Sequence, residues 1–229
     1  MTFAIILICT VAACFALRKP IKKYPMVFYA LAVLLDVVFI ATFYFDMPRA
    51  FWKVIFVLIQ KCTLSLAIFV VVMFIGCFAR DSKVSTMLRP IRSELSIIAW
   101  ILSLGHMALY LVKYLPIILR GGAINTNVLT SFILAIVLLV LLLVLGVTSF
   151  AIVKKHMKAD AWRKLQKWAY VFFMLVYVHL LFMLLPSALH GGAAAQASVG
   201  VYSVVFVAYA VMRVCRALVD KQKEAGSAA

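Results

Sequence analysis

The sequence predicts an all-α, polytopic membrane bundle of about seven transmembrane helices, and three observations carry that expectation. Of 229 residues, 67% are hydrophobic and only 13% charged, whereas soluble domains carry about a quarter charged residues. The mean hydropathy is +1.15. The basic residues, moreover, fall in short clusters between long apolar runs. A water-soluble fold is excluded. At about 20 apolar residues per crossing, helices and short loops use up the chain, and no room remains for a soluble catalytic domain of ordinary size.

The apolar stretches are 2–17, 25–45, 54–79, 95–115, 128–153, 169–185 and 199–218. The first reads as an anchor. A cleavable leader is the competing reading, since Val11-Ala12-Ala13-Cys14 has the look of a lipoprotein cleavage box, but no basic residue precedes the run and the charges follow it. The second stretch contains Asp36, the third Lys61, the fourth His106 and the sixth His179; the seventh closes on Arg213 and Arg216. The chain divides into 1–53, the first two helices with a basic loop; 54–218, a helical core; and 219–229, a cytoplasmic tail that reads as a solvated end. Cys9, Cys14, Cys62, Cys77 and Cys215 have no zinc or redox spacing and read as packing residues.

Charge sets the orientation. With the N-terminus outside, the inner loops and helix ends hold 18 of the 23 Lys and Arg residues. The outer side keeps Arg49, Lys53, Lys113 and Arg120, and Lys61 stands alone within a helix. The positive-inside rule therefore predicts N-terminus out and C-terminus in. A net charge of +16 is then a membrane signal and no pointer to nucleic acid.

Ionisable groups within the hydrocarbon mark functional positions. His106 lies 14 residues beyond Arg92 and His179 lies 12 beyond Lys167, and both helices run outward. At 1.5 Å per residue each imidazole stands roughly 18 to 21 Å from the inner charges, in the outer half of the bilayer. Two facing imidazoles at one depth are what six-coordinate haem iron requires. Asp36 and Lys61 also share a depth, roughly 12 to 14 Å below the outer surface, and are expected to form a buried ion pair, either structural or a proton or quinol site. An internal repeat pairs LPIILRGGA at 115–123 with LPSALHGGA at 185–193. One reading makes these plain helix stops, with Pro ending the helix and Gly-Gly turning the chain. The other makes Arg120 and His190 part of a lid that binds the carboxylates of the cofactor.

The stretch 87–100, MLRPIRSELSIIAW, followed by Leu104-Gly105-His106, resembles the "RRELGL…H" helix of ferric reductase-like transmembrane domains. The stretch 162–170, WRKLQKWAY, leading to His179, resembles the "W-x-x-L-H-R-x-x-Y…H" helix of the same domains. The look is closest to the haem-binding membrane subunit of the bacterial periplasmic methionine sulfoxide reductase system. The resemblance covers about 54–218 and implies a six-helix haem b core with one added N-terminal helix, placed in a bacterial cytoplasmic membrane and moving electrons across it. Two-haem members carry a second inner pair of histidines, where this chain has Ser93 and Gln166. One haem b is therefore expected, held by His106 and His179. No Gly-rich nucleotide fingerprint is present, so electrons are expected from a quinol or a partner flavoprotein and are handed to an outer redox protein or small acceptor. The competing functions are an ion- or proton-coupled transporter, with the histidines as a relay, and a non-redox membrane subunit.

Overall fold

A computed structural model describes the backbone of residues 2–227 and side chains through residue 223. The elements in order are α1 (Thr2–Ala16), α2 (Arg18–Lys23), α3 (Pro25–Ala41) and α4 (Arg49–Ile55), which runs into a π turn at Phe56–Gln60. Then come α5 (Thr63–Ile75), α6 (Lys83–Leu88), a tight 3₁₀ turn at Arg89–Ile91, α7 (Arg92–Leu119), α8 (Thr126–Val147), α9 (Ala151–Lys154), α10 (Ala159–Gln166), α11 (Trp168–Leu189) and α12 (Ala193–Ser227). No strand occurs among the described residues.

Every predicted apolar stretch is helical, but their lengths differ. Four stretches, Lys83–Leu119, Thr126–Val147, Ala159–Leu189 and Ala193–Lys223, are long and apolar enough to cross a membrane. A fifth is the pair Arg49–Gln60 and Thr63–Ile75, bent by 41° at its break. Helices α1 and α3 are apolar but have only 15 and 17 residues, about 22 to 26 Å at 1.5 Å per residue against a core about 30 Å thick. Helix α12 continues through Ser227, where a frayed, solvated end was expected from Lys221 onward; residues 228 and 229 lie outside the described residues.

Helix α5 sits at the centre. Its sequence, TLSLAIFVVVMFI, is apolar on all sides, which suits a helix buried all round, and 10 of its 13 residues are buried. One side packs with α1 and α7, on which α3 lies in turn, in a cluster that includes Ile68, Val71, Ile75, Phe39 and Leu102. The other meets α11 and α12 through Leu66, Val70, Phe173 and Phe206. Small polar residues join α5 to α7: Ser65 Oγ donates to the Ala99 carbonyl at 2.7 Å and lies 2.5 Å from Ser103 Oγ. Such residues let membrane helices approach closely while satisfying their own hydroxyls. At the basic end, Lys22 of α2 reaches Glu94 of α7 at 2.8 Å.

The repeated Pro…Gly-Gly segments end their helices, but proline is not the stop. Pro116 and Pro186 lie inside α7 and α11, which each continue for three residues. Termination comes at Gly121 (φ 68°) and Gly191 (φ 84°). The next glycine N–H reaches back to Ile117 or Ser187, 2.9 Å in both cases. This is the Schellman closure, which uses a left-handed residue to satisfy the last carbonyls of a helix.

Candidate functional site

A break between two apolar helical segments, Arg49–Gln60 and Thr63–Ile75, prepares the site. The π turn at Phe56–Gln60 hands its last regular bond from the Lys61 N–H to the Phe56 carbonyl at 2.9 Å. Cys62 then adopts a left-handed conformation (φ 54°) before α5 begins. Helix interruptions free backbone carbonyls, and these are tolerated in a membrane only if other groups take them up. Thr63 Oγ1 takes the Val57 carbonyl at 2.6 Å. The Gln60 carbonyl is taken by His106 Nδ1 from α7, also at 2.6 Å.

That bond settles the state of the ring. A carbonyl only accepts, so Nδ1 carries a proton; the apolar surroundings disfavour a second one, and the neutral imidazole then keeps a lone pair on Nε2. Metal-bound histidines are commonly held in this way by a backbone acceptor on their second nitrogen. His179 of α11 stands on the wall of the same cavity, which has a volume of about 400 Å³. Its ring faces the Ser131 backbone of α8, but no bond of normal geometry forms and Nδ1 is buried without a partner. The remaining lining is mostly apolar and aromatic, with Phe69, Met107, Tyr110 and Phe172 among it. The size is that of a small-molecule site. Among the described residues no group of three or more His, Cys, Asp or Glu gathers to hold a metal ion. Axial ligation of a ring-bound iron needs only two imidazoles, and two line this cavity.

The expected ion pair between Asp36 and Lys61 does not form. Asp36 is buried against Gly105 of α7, so closely that a Cβ there would lie 2.5 Å from its Oδ1, and that oxygen has no hydrogen-bond partner. Lys61 is exposed, with Nζ 5.2 Å from the centre of the Phe56 ring. Counting along helices matches depth but not azimuth. Lys61 is instead the one Lys or Arg lining the histidine cavity.

Arg120 and His190 are both exposed and line neither cavity described here. His190 Nδ1 donates to the Pro186 carbonyl of its own helix at 2.6 Å, so this residue serves the helix end. The two loops share a terminating geometry, and the plain helix-stop reading accounts for what they do here.

Toward the basic end lies a second cavity of about 500 Å³ that includes Ser93 and Gln166. Gln166 Nε2 donates to Thr148 Oγ1 at 3.2 Å and Trp162 Nε1 to the Thr148 carbonyl at 3.0 Å, both closing on the end of α8. Phe69, Leu142, Phe172 and Phe173 line both cavities and form the partition between them. This wall and the Gln60 carbonyl were not evident from sequence; the only signal near the latter was the lone Lys61 interrupting an apolar run.

Residues 61–178 match the family model of the ferric reductase like transmembrane component. The match begins at the break in the span, takes in His106 and stops one residue short of His179. A protein of Treponema pallidum (strain Nichols) described as uncharacterized is 34% identical over 206 residues, which is 89% of this chain and 57% of that protein. The chain thus spans somewhat more than half the length of this relative. No solved structure matches.

Proposed function

Because this chain belongs to the family of ferric reductase-like transmembrane components, we propose that it is a membrane haem b protein that carries electrons from a quinol or partner flavoprotein to an acceptor on the outer side. The observation that carries the reading is the pair of neutral imidazoles on one cavity, with His106 fixed by the Gln60 carbonyl. His106 and His179 would hold the iron from α7 and α11; when bound, the group supplies reversible one-electron chemistry. Gln60 keeps the proton on His106 Nδ1 and so directs Nε2 to the cavity. Phe69, Phe172 and Phe173 keep water from the floor of the cavity, while Lys61 offers a positive charge to a cofactor carboxylate, the role first read into Arg120. One cofactor per chain follows, since Ser93 and Gln166 are poor iron ligands.

The seven-crossing topology with the N-terminus outside belongs to the same proposal. Its support is the charge asymmetry of 18 inner against 4 outer basic residues, with α1 and α3 inserting as short spans. A bacterial cytoplasmic membrane fits the Treponema relative.

The test is spectroscopic. Purified full-length protein is expected to be red, to sharpen its absorption bands on dithionite reduction, and to give one haem per chain as pyridine haemochromogen. A colourless, iron-free preparation from haem-supplemented cells would overturn the proposal and favour the transporter reading.

A further inference from the structure

The basic-end cavity has no part in this electron-transfer reading. It lies between α5, α7, α8 and α11, and its lining carries five cations, Arg89, Arg92, Lys154, Arg163 and Lys167, but no carboxylate. Of these five, among the described residues, only Arg163 has a carboxylate partner, Asp160 on its own helix. Glu94, two residues from Arg92, is bound to Lys22 instead. Lys154 Nζ lies 4.1 Å above the Trp162 ring and Arg89 Nε donates to Ser85 Oγ at 3.0 Å, contacts that leave their charge uncompensated. Beneath this rim the floor is hydrocarbon: Val72, Met73, Leu142, Leu145 and Phe172. Trp100 also lines the cavity, and its indole N–H is buried without an acceptor.

Arg92 is half-buried and the other four cations are exposed, so together they form a rim of positive potential above an apolar wall, which attracts an anion. Cations at one end of the cavity and hydrocarbon at the other describe an amphiphile. We propose that this cavity binds an anionic phospholipid, with its phosphate among Arg92, Lys167 and Lys154 and an acyl chain along the floor. A free phosphate ester would satisfy the rim and leave the floor bare, whereas basic pockets between membrane helices take anionic headgroups from the cytoplasmic leaflet. Ser93 and Gln166 suit this occupant, since both are neutral and neither would bind iron. The inference requires membrane insertion but not the haem assignment.

The experiment uses the full chain in neutral detergent micelles, titrated with phosphatidylglycerol or phosphatidylcholine. Native mass spectrometry counts retained lipid, and tryptophan fluorescence reports occupancy at Trp100 and Trp162. Phosphatidylglycerol is expected to saturate at one per chain while phosphatidylcholine is lost. The double variant Arg92→Gln/Lys167→Gln should bind about thirty-fold more weakly, and Arg49→Gln/Lys53→Gln, with the same change in charge at the other end, should bind normally. If the first double variant fails to fold, Ser93→Glu at the exposed rim should give the same loss. Equal retention of both lipids, or equal retention by both double variants, overturns the proposal. Displacement of the lipid by millimolar inorganic phosphate alone assigns the rim to a soluble phosphate and overturns the lipid. Haem in this cavity, seen as a second equivalent that disappears with Ser93→Glu, overturns it as well.

Discussion

The two cavities have α5, α7, α8 and α11 in common and share a wall, the basic-end one adding α9 and α10 and the histidine one α12, yet their chemistries are opposite. The histidine cavity has one cation, two neutral imidazoles and a captive backbone carbonyl. The basic-end cavity has five cations and no imidazole. Thirteen residues before His106 and His179 stand Ser93 and Gln166, so two positions decide which cavity offers iron a ligand. The contrast teaches that this bundle supplies space and the side chains at a few depths supply function. The scaffold at both levels is held by the same contacts, notably Phe69 edge-on to Phe172 at 5.6 Å between ring centres.

The largest expected effect tests the division directly. His106→Ala and His179→Ala should each remove most of the bound haem, because each loses an axial ligand. Ser93→Ala and Gln166→Ala should retain it. Haem content per purified chain decides, and loss of haem from the second pair would merge the two cavities into one site.

A steric change sharpens the comparison next. Gly146 of α8 lies against the Trp100 indole with no room for a Cβ. Gly146→Ala should therefore strain the basic-end cavity by about 1 to 3 kcal/mol. A lower thermal unfolding midpoint with unchanged haem bands is expected; altered bands would mean that the partition transmits strain.

Charge near the imidazoles gives a smaller effect. Ferric haem carries one more positive charge than ferrous, so a nearby cation disfavours it and raises the midpoint potential. Lys61→Gln should lower that potential by an amount on the order of tens of millivolts. A redox titration that leaves it unmoved would remove Lys61 from the site. Smallest of all is Arg120→Gln, expected to leave potential and haem content unchanged because Arg120 lines neither cavity. A shift equal to that of Lys61→Gln would return the outer loop to the site.

Much of the bundle was legible in sequence because hydropathy and depth are linear quantities. The seven apolar stretches and the convergence of His106 and His179 on one cavity follow from counting residues along helices. What escaped depends on azimuth or on backbone. Asp36 and Lys61 share a depth but point to different neighbours, Gly105 and Phe56. The repeat at Pro116 and Pro186 looked like a proline stop, whereas the proline is accommodated in the last turns and the left-handed glycine ends the helix. The partner of His106 is a carbonyl, which every residue possesses and none advertises.

The π turn at Phe56–Gln60 sets what kind of mutation this chain bears. It holds one residue more than an α-helical turn in the same space. Replacing the side chain of residue 60 leaves its carbonyl beneath His106 in place. Deleting any one residue of the turn removes the surplus, and with it the widened turn from which the Gln60 carbonyl reaches His106. The information that holds this imidazole is thus kept in chain length rather than in residue identity, and insertions or deletions, more than substitutions, are the changes to which the segment is vulnerable.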